Sequence, residues 1–421
     1  MVFTGKNEME EKQKRFNDIK LYSFTALLGA TVGAVIWLFL RLVGICTELI
    51  WETLPKALGV SFLPLILCTA AGLCAGLIHR KHGEYPEELA VVLGKIKRDR
   101  HYGYDSMFVM LVCAFIPLVF GASVGPEAGL TGIIAGLCYW VGDNVTYAKE
   151  HADEYSDIGA AVTLGNLFHV PLFGIFAVEE GELGTDGGEL PRSSKLLLYG
   201  ISTAAAFLVM KGLGALLGPA GEGFPSFEFM DISRIDYLMT LVYIPVGLLL
   251  FFFFEKSELL CGKAAERMPA VIRETVCGLG IGIMALAAPV VLFSGEEQMA
   301  ELAENFGTYA AAALIGISLL KLFMTAFCIK LGLKGGHFFP VIFACSCMGF
   351  GIAAMIFSEP LSHAVFAAAV ITASMLGAQM KKPIAVSMLL LICFPVRLIL
   401  WILLGAAAGG RLGEIMHKRM E

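Results

Sequence analysis

Two apolar runs, residues 105–122 and 128–142, meet at Gly125-Pro126-Glu127-Ala128-Gly129. Glycine and proline stop helices, and a hydrocarbon core of roughly 30 Å takes about 20 helical residues to cross. Neither run is long enough to cross upright, so the pair reads as two helices that stop part-way, with one carboxylate where they meet. Non-helical backbone at membrane depth survives only where protein or a water-filled cavity surrounds it, so the break is expected to line a cavity. The composition agrees with this solvent. With 57% hydrophobic residues, 16% charged ones and a mean hydropathy of +0.75, the chain of 421 residues reads as a polytopic membrane protein.

Further apolar runs fall at about 21–50, 61–78, 159–179, 195–218, 237–254, 277–293, 308–332, 338–357, 363–380 and 383–408. Residues 1–20 are polar and of mixed charge, without the apolar centre of a cleavable signal, and read as a tail. Lys and Arg gather in that tail, in 79–100 and in 411–420. The positive-inside rule puts all three in the cytoplasm and the protein in the cell membrane. His79 and His82 fall within the basic stretch and are expected in a cytoplasmic loop. The eleven cysteines lie mostly inside apolar runs without a CxxC pair, which favours buried small hydrophobes over a disulfide or metal framework. No metal or cofactor motif appears, and nothing points to a nucleic-acid partner; the lipid bilayer is the partner that the composition implies.

The chain repeats itself at a nearly fixed offset. LGNLFHVPLFGIF, with Gly165 and Pro171, returns as LGAQMKKPIAVSM, with Gly377 and Pro383; the break at Gly125 returns at Gly335-Gly336, and Gly33 answers Gly247. The division expected is a tail at 1–20, a first membrane repeat at 21–211, a linker at 212–236, a second repeat at 237–410 and a tail at 411–421. Paired interruptions in the two halves of a hydrophobic chain point to a transport site near the midplane. There helix N-termini aim free N–H groups and the positive end of the dipole at an anion.

These landmarks, in this order, resemble the CLC family of chloride channels and proton-coupled anion antiporters. Gly125-Pro126-Glu127-Ala128-Gly129 is similar to the family's glycine-rich motif with a gating glutamate. GNLFHVPLFGIFAVEE, ending in Glu179 and Glu180, is similar to its small-residue helix with a Glu-Glu pair, and Gly335-Gly336-His337-Phe338-Phe339-Pro340 to its GG-x-F-x-P helix start. The resemblance implies an all-α homodimer of inverted-topology repeats with short, tilted and partly re-entrant helices and one anion path per subunit. It makes Glu127 the gate and Glu180 the cytoplasmic relay that hands protons to it. Glu180 also stands at the head of an acidic stretch with Glu182, Asp186 and Glu189, the other role open to it. The anion would be held by Gly125, Gly336 and the backbone N–H groups at His337 and Phe338. HGEYP, residues 82–86, sits where the family has a serine-bearing loop and puts Gly83 and Glu84 beside the anion. The family's late tyrosine ligand has no counterpart, because no tyrosine follows Tyr309.

The function expected is exchange of a small inorganic anion, chloride first and fluoride second, for protons. A passive channel on the same fold is the nearest alternative. Gly121-Ala122-Ser123-Val124-Gly125 also matches GxSxG, which would make Ser123 the nucleophile of an intramembrane hydrolase with His169 as base. That pattern requires a strand before it and a helix after it, whereas helix-like apolar runs flank it on both sides. The chain is therefore read as a transporter and not an enzyme. Lys381 and Lys382, before a helix that should start at Pro383, are read as snorkelling lysines.

Overall fold

The computed structural model describes residues 2–87, 91, 92, 95, 98, 99, 102–144, 162, 165, 192–221, 225–228, 232–358 and 360–420. The described residues are almost wholly helical, and the one extended pairing among them is an isolated antiparallel bridge between Gly125 and Gly336. In chain order the helices are α1 (Val2–Glu48), α2 (Leu54–Leu58), α3 (Leu63–His82), α4 (Met107–Val119), α5 (Glu127–Asn144), α6 (Arg192–Leu217), α7 (Arg234–Ala265), α8 (Ala270–Ala287), α9 (Glu296–Asn305), α10 (Ala311–Lys330), α11 (Phe338–Ile356), α12 (Pro360–Met380), α13 (Pro383–Leu390) and α14 (Ile399–Met420). Nine segments of the described residues are long and apolar enough to cross a membrane. The α4 and α5 helices are not among them, as their short runs require.

Local chemistry sets the ends. A capping box starts α7, with the Asp236 carboxylate accepting from the Ser233 backbone N–H and hydroxyl at 2.9 Å. The α13 helix begins at Pro383, as read from the sequence. The run 383–408 is not one helix, however. It stops at Leu390, passes through turns to Pro395 and resumes as α14, because a second proline, Pro395, follows closely. The α9 helix, too polar to stand out as an apolar run, is a further departure. Residues 1–20, read as a separate tail, continue α1 without a break from Val2.

Small residues let the helices touch backbone to backbone. Gly72 meets the Glu274 and Gly278 backbone, Gly76 meets Val271, Gly278 meets the Cys68 carbonyl and Gly282 meets Leu65, so α3 and α8 run antiparallel along a common seam. Gly29 and Gly33 of α1 lie against Ser202 and Ala206 of α6 in the same way. At the centre stand α11 and α12, whose apolar spans are 78% and 83% buried, more than any other. The other helices wrap this pair and leave their own outer faces apolar and exposed, as a chain in lipid requires.

Candidate functional site

The site forms where α5 and α11 begin. The Gly125 N–H donates to the Gly336 carbonyl and the Gly336 N–H to the Gly125 carbonyl, both at 2.7 Å, so the two helix starts are tied face to face. Glu127, the first residue of α5, reaches across this tie, and its Oε1 accepts from the Phe338 N–H, the first of α11, at 2.9 Å. A methyl group at Gly125 or Gly336 would overlap the Glu127 carboxylate, which explains glycine at both positions. Glu127 is 1% exposed, and its Oε2 is buried with no hydrogen-bond partner. Among the described residues no lysine or arginine is paired with it. The carboxylate occupies the kind of place a free anion would take, before the unsatisfied N–H groups of a helix start.

A second carboxylate stands near the same strap of backbone. Gly83 closes α3 with φ +95°, its N–H donating to the His79 carbonyl at 2.9 Å, and Glu84 follows outside the helix. Arg273 of α8 donates to Glu84 Oε1 and Lys334 to Oε2, each at 2.8 Å. Lys334 lies two residues before Gly336, so the structure does bring Glu84 onto the segment that builds the Glu127 site. Burial alone would raise the Glu84 carboxyl, but hydrogen bonds and charge from Lys334 and Arg273 outweigh it and hold it at about 2.

His79 corrects the sequence reading. It lies in the last turn of α3, buried, with Nδ1 at 2.9 Å from Glu274 Oε1, rather than in a loop. Glu274 is fully buried and also accepts from Arg273 at 3.1 Å. The run Lys334, Glu84, Arg273, Glu274, His79 is thus one connected charged network. Within it His79 Nε2, Arg273 Nε and Glu274 Oε2 are buried without partners.

Lys321 of α10 went unremarked in the sequence, although a charge in the middle of the apolar run 308–332, well before Lys330 near its end, was the signal that could have found it. Its ammonium is fully buried and donates to the carbonyls of Val291, Leu292 and Phe293 at 3.2, 2.9 and 2.7 Å. All three of its donors are used, and they pin the bend before α9. Phe293 in turn donates from its N–H to the Gly121 carbonyl at 3.3 Å, so Lys321 holds the far side of the break between α4 and α5.

Ser123 is buried within 3.0 Å of the Thr325 hydroxyl and follows a helix, not a strand. Among the described residues no imidazole is paired with it. The His337 ring packs 4.7 Å from Phe338 and 6.1 Å from Phe254, and Lys381, with φ +56°, is exposed just before α13. Glu180, Glu179, His169 and Pro171 lie outside the described residues. Cys74 is exposed, whereas Cys68, Cys113, Cys138, Cys345, Cys347 and Cys393 are buried and free as expected.

A family model described as Voltage gated chloride channel matches residues 67–413. Chloride channel protein CLC-e of Arabidopsis thaliana is 23% identical over 377 residues, covering 81% of this chain and 50% of that protein. The chain therefore spans half the length of this plant relative. The putative ion-transport protein YfeO of Escherichia coli O17:K52:H18 is 21% identical over 340 residues, 76% of each chain. Among solved structures, a CLC-type fluoride/proton antiporter superposes with a TM-score of 0.73 at 17% identity, covering 94% of this chain and 96% of its own. A slow cyanobacterial Cl-/H+ antiporter gives 0.76 at 15% identity, covering 94% and 97%. At these identities the likeness carries the fold.

Proposed function

The chain belongs to the voltage-gated chloride channel family, and from that membership we propose that it exchanges a small inorganic anion, chloride first and fluoride second, for protons moving the other way. Family membership makes it an anion transporter or channel of a multi-pass membrane fold, not an enzyme. The finer reading rests on one observation: the Glu127 carboxylate, with no cation partner among the described residues, accepts from the N–H that opens α11. Charged, Glu127 is a tethered anion in competition with the free one. Protonated, it loses its attraction to the helix start and leaves the N–H groups to the incoming ion. Each anion that passes is then tied to a proton.

The same proposal takes 21–211 and 237–410 as inverted repeats, which fits α3 lying antiparallel to α8 and the mutual pairing of Gly125 with Gly336. It takes the working unit as a homodimer in the cell membrane with both ends of the chain cytoplasmic. Gly83, Gly125, Gly336, His337 and Phe338 contribute backbone along the anion path, and Glu180 hands protons to Glu127 from the cytoplasmic side.

Proteoliposomes carrying a chloride, fluoride or nitrate gradient, with external pH followed throughout, test this. The wild type moves protons uphill at the expense of the anion gradient. Glu127→Gln keeps anion flux, loses most of its pH dependence and moves no protons, and Glu180→Ala conducts anions without moving protons uphill. A wild type that never moves protons is a channel, and unchanged pH-driven uptake in Glu127→Gln ends the gating assignment.

A further inference from the structure

Glu84 is a carboxylate clasped by two cations, and it stands just past the end of α3. Its side chain is 45% exposed, whereas Arg273 and Lys334 are 13% and 20% exposed, so the cations are fixed in the wall and the acid sits at its face. The loop is attached to α3 only through the left-handed Gly83, where even an added methyl would meet nothing nearer than the Tyr85 ring at 4.0 Å. The Arg273 Nε is buried and unpartnered, a donor left over after Glu84 and Glu274 have taken their hydrogen bonds.

Counting charge decides what such a site would hold. With Glu84 in place, the two cations Arg273 and Lys334 are balanced by the two carboxylates Glu84 and Glu274. When Glu84 swings out, Glu274 still accepts from Arg273, and one positive charge remains uncompensated. We propose that Arg273 and Lys334 form an inner binding site for one small monovalent anion, and that the Glu84 carboxylate is its resident occupant, displaced by the ion rather than by a proton. This deepens the exchange reading and rests on it. An ion held at Lys334 stands two residues from Gly336 and four from Phe338, whose N–H carries Glu127. The path is then stoppered by a carboxylate at each of two stations. Glu127 has no cation partner among the described residues and yields to protonation, whereas Glu84 has two and stays ionised.

The alternative is a salt bridge that merely ties α3, α8 and the strap before α11 together, and the two roles differ in sign. Chloride dependence of flux is measured in proteoliposomes of the full chain, with chloride varied on the side that residues 83–86 face, for wild type, Glu84→Gln and Lys334→Gln. A displaceable occupant means that Glu84→Gln lowers the half-saturating chloride roughly fivefold, about the worth of a half-exposed ion pair, while Lys334→Gln raises it. A structural bridge is broken by either change, so both variants then shift the same way or not at all, and either result overturns the proposal. Should Lys334→Gln fail to fold, Glu84→Gln decides alone, because an unchanged or raised half-saturation refutes an occupant. Proton movement in the Glu84→Gln vesicles is recorded alongside, so that loss of exchange, which speaks to Glu127, is told apart from loss of this site.

Discussion

Glu127 and Glu84 are the same side chain in opposite electrostatic settings. One is buried with a backbone N–H and an unpartnered oxygen; the other is half exposed between Arg273 and Lys334. The second has a pH signature whose sign follows from its depressed value of about 2. A carboxyl lowered by folding stabilises the native state above its unfolded value and loses that contribution as pH falls through the folded one. The melting temperature in detergent should therefore exceed that of Glu84→Gln by a constant margin from pH 5 to 8, and the margin should shrink between about pH 4 and pH 2. A margin that closes near neutrality would mean that a histidine, not Glu84, sets it. Glu127 was legible because no other charge stands near it in the sequence. The setting of Glu84 was not, because Arg273 and Lys334 lie 189 and 250 positions away and nothing local announces them.

At the scale of elements, the half-helices were legible from length alone. An α4 of 13 residues rises about 20 Å and cannot cross a core of about 30 Å. What length could not give was the bend at 289–293, because it is stabilised from a distance by the three hydrogen bonds of Lys321. Nor could it place the stop inside 383–408, where apolar character continues through the turns. The start of α11 offers the cleanest test of a helix end as a binding device. Phe338 is the first helical residue, and proline is tolerated there because the N–H of that position has no partner within the helix. Phe338→Pro should keep the fold and remove the N–H that donates to Glu127 Oε1. Chloride binding measured by titration calorimetry should weaken roughly tenfold or more, the effect of losing one hydrogen bond to an ion. Equal heats from a folded Phe338→Pro protein would show that this helix does not hold the ion.

At the scale of the molecule, the antiparallel seam of α3 and α8 is where the two proposed halves meet most closely. Gly278 has the Cys68 carbonyl where a side chain would go, whereas Gly262 at the far end of α7 has open space. Gly278→Leu should destabilise the protein by roughly 3 kcal/mol or more, and Gly262→Leu should stay within about 0.5 kcal/mol; thermal unfolding in detergent compares them. Similar losses for both would mean that the seam yields. The sequence repeat matched the break at Gly125 with the one at Gly336, and these two positions do pair, but it gave no sign that α3 and α8 would form a seam, because their glycines are unremarkable among 47.

That seam also bears on how fast and by what means such a molecule can work. Helices in backbone contact cannot slip by a turn, about 5.4 Å, without driving bulkier residues into the places of Gly72, Gly76, Gly278 and Gly282. The frame is therefore stiff, and on the proposed mechanism what alternates is a carboxylate turning about its own single bonds, a motion of low inertia and short reach. Turnover should then follow the supply of ions and protons, and be indifferent to the thickness and stiffness of the surrounding lipid.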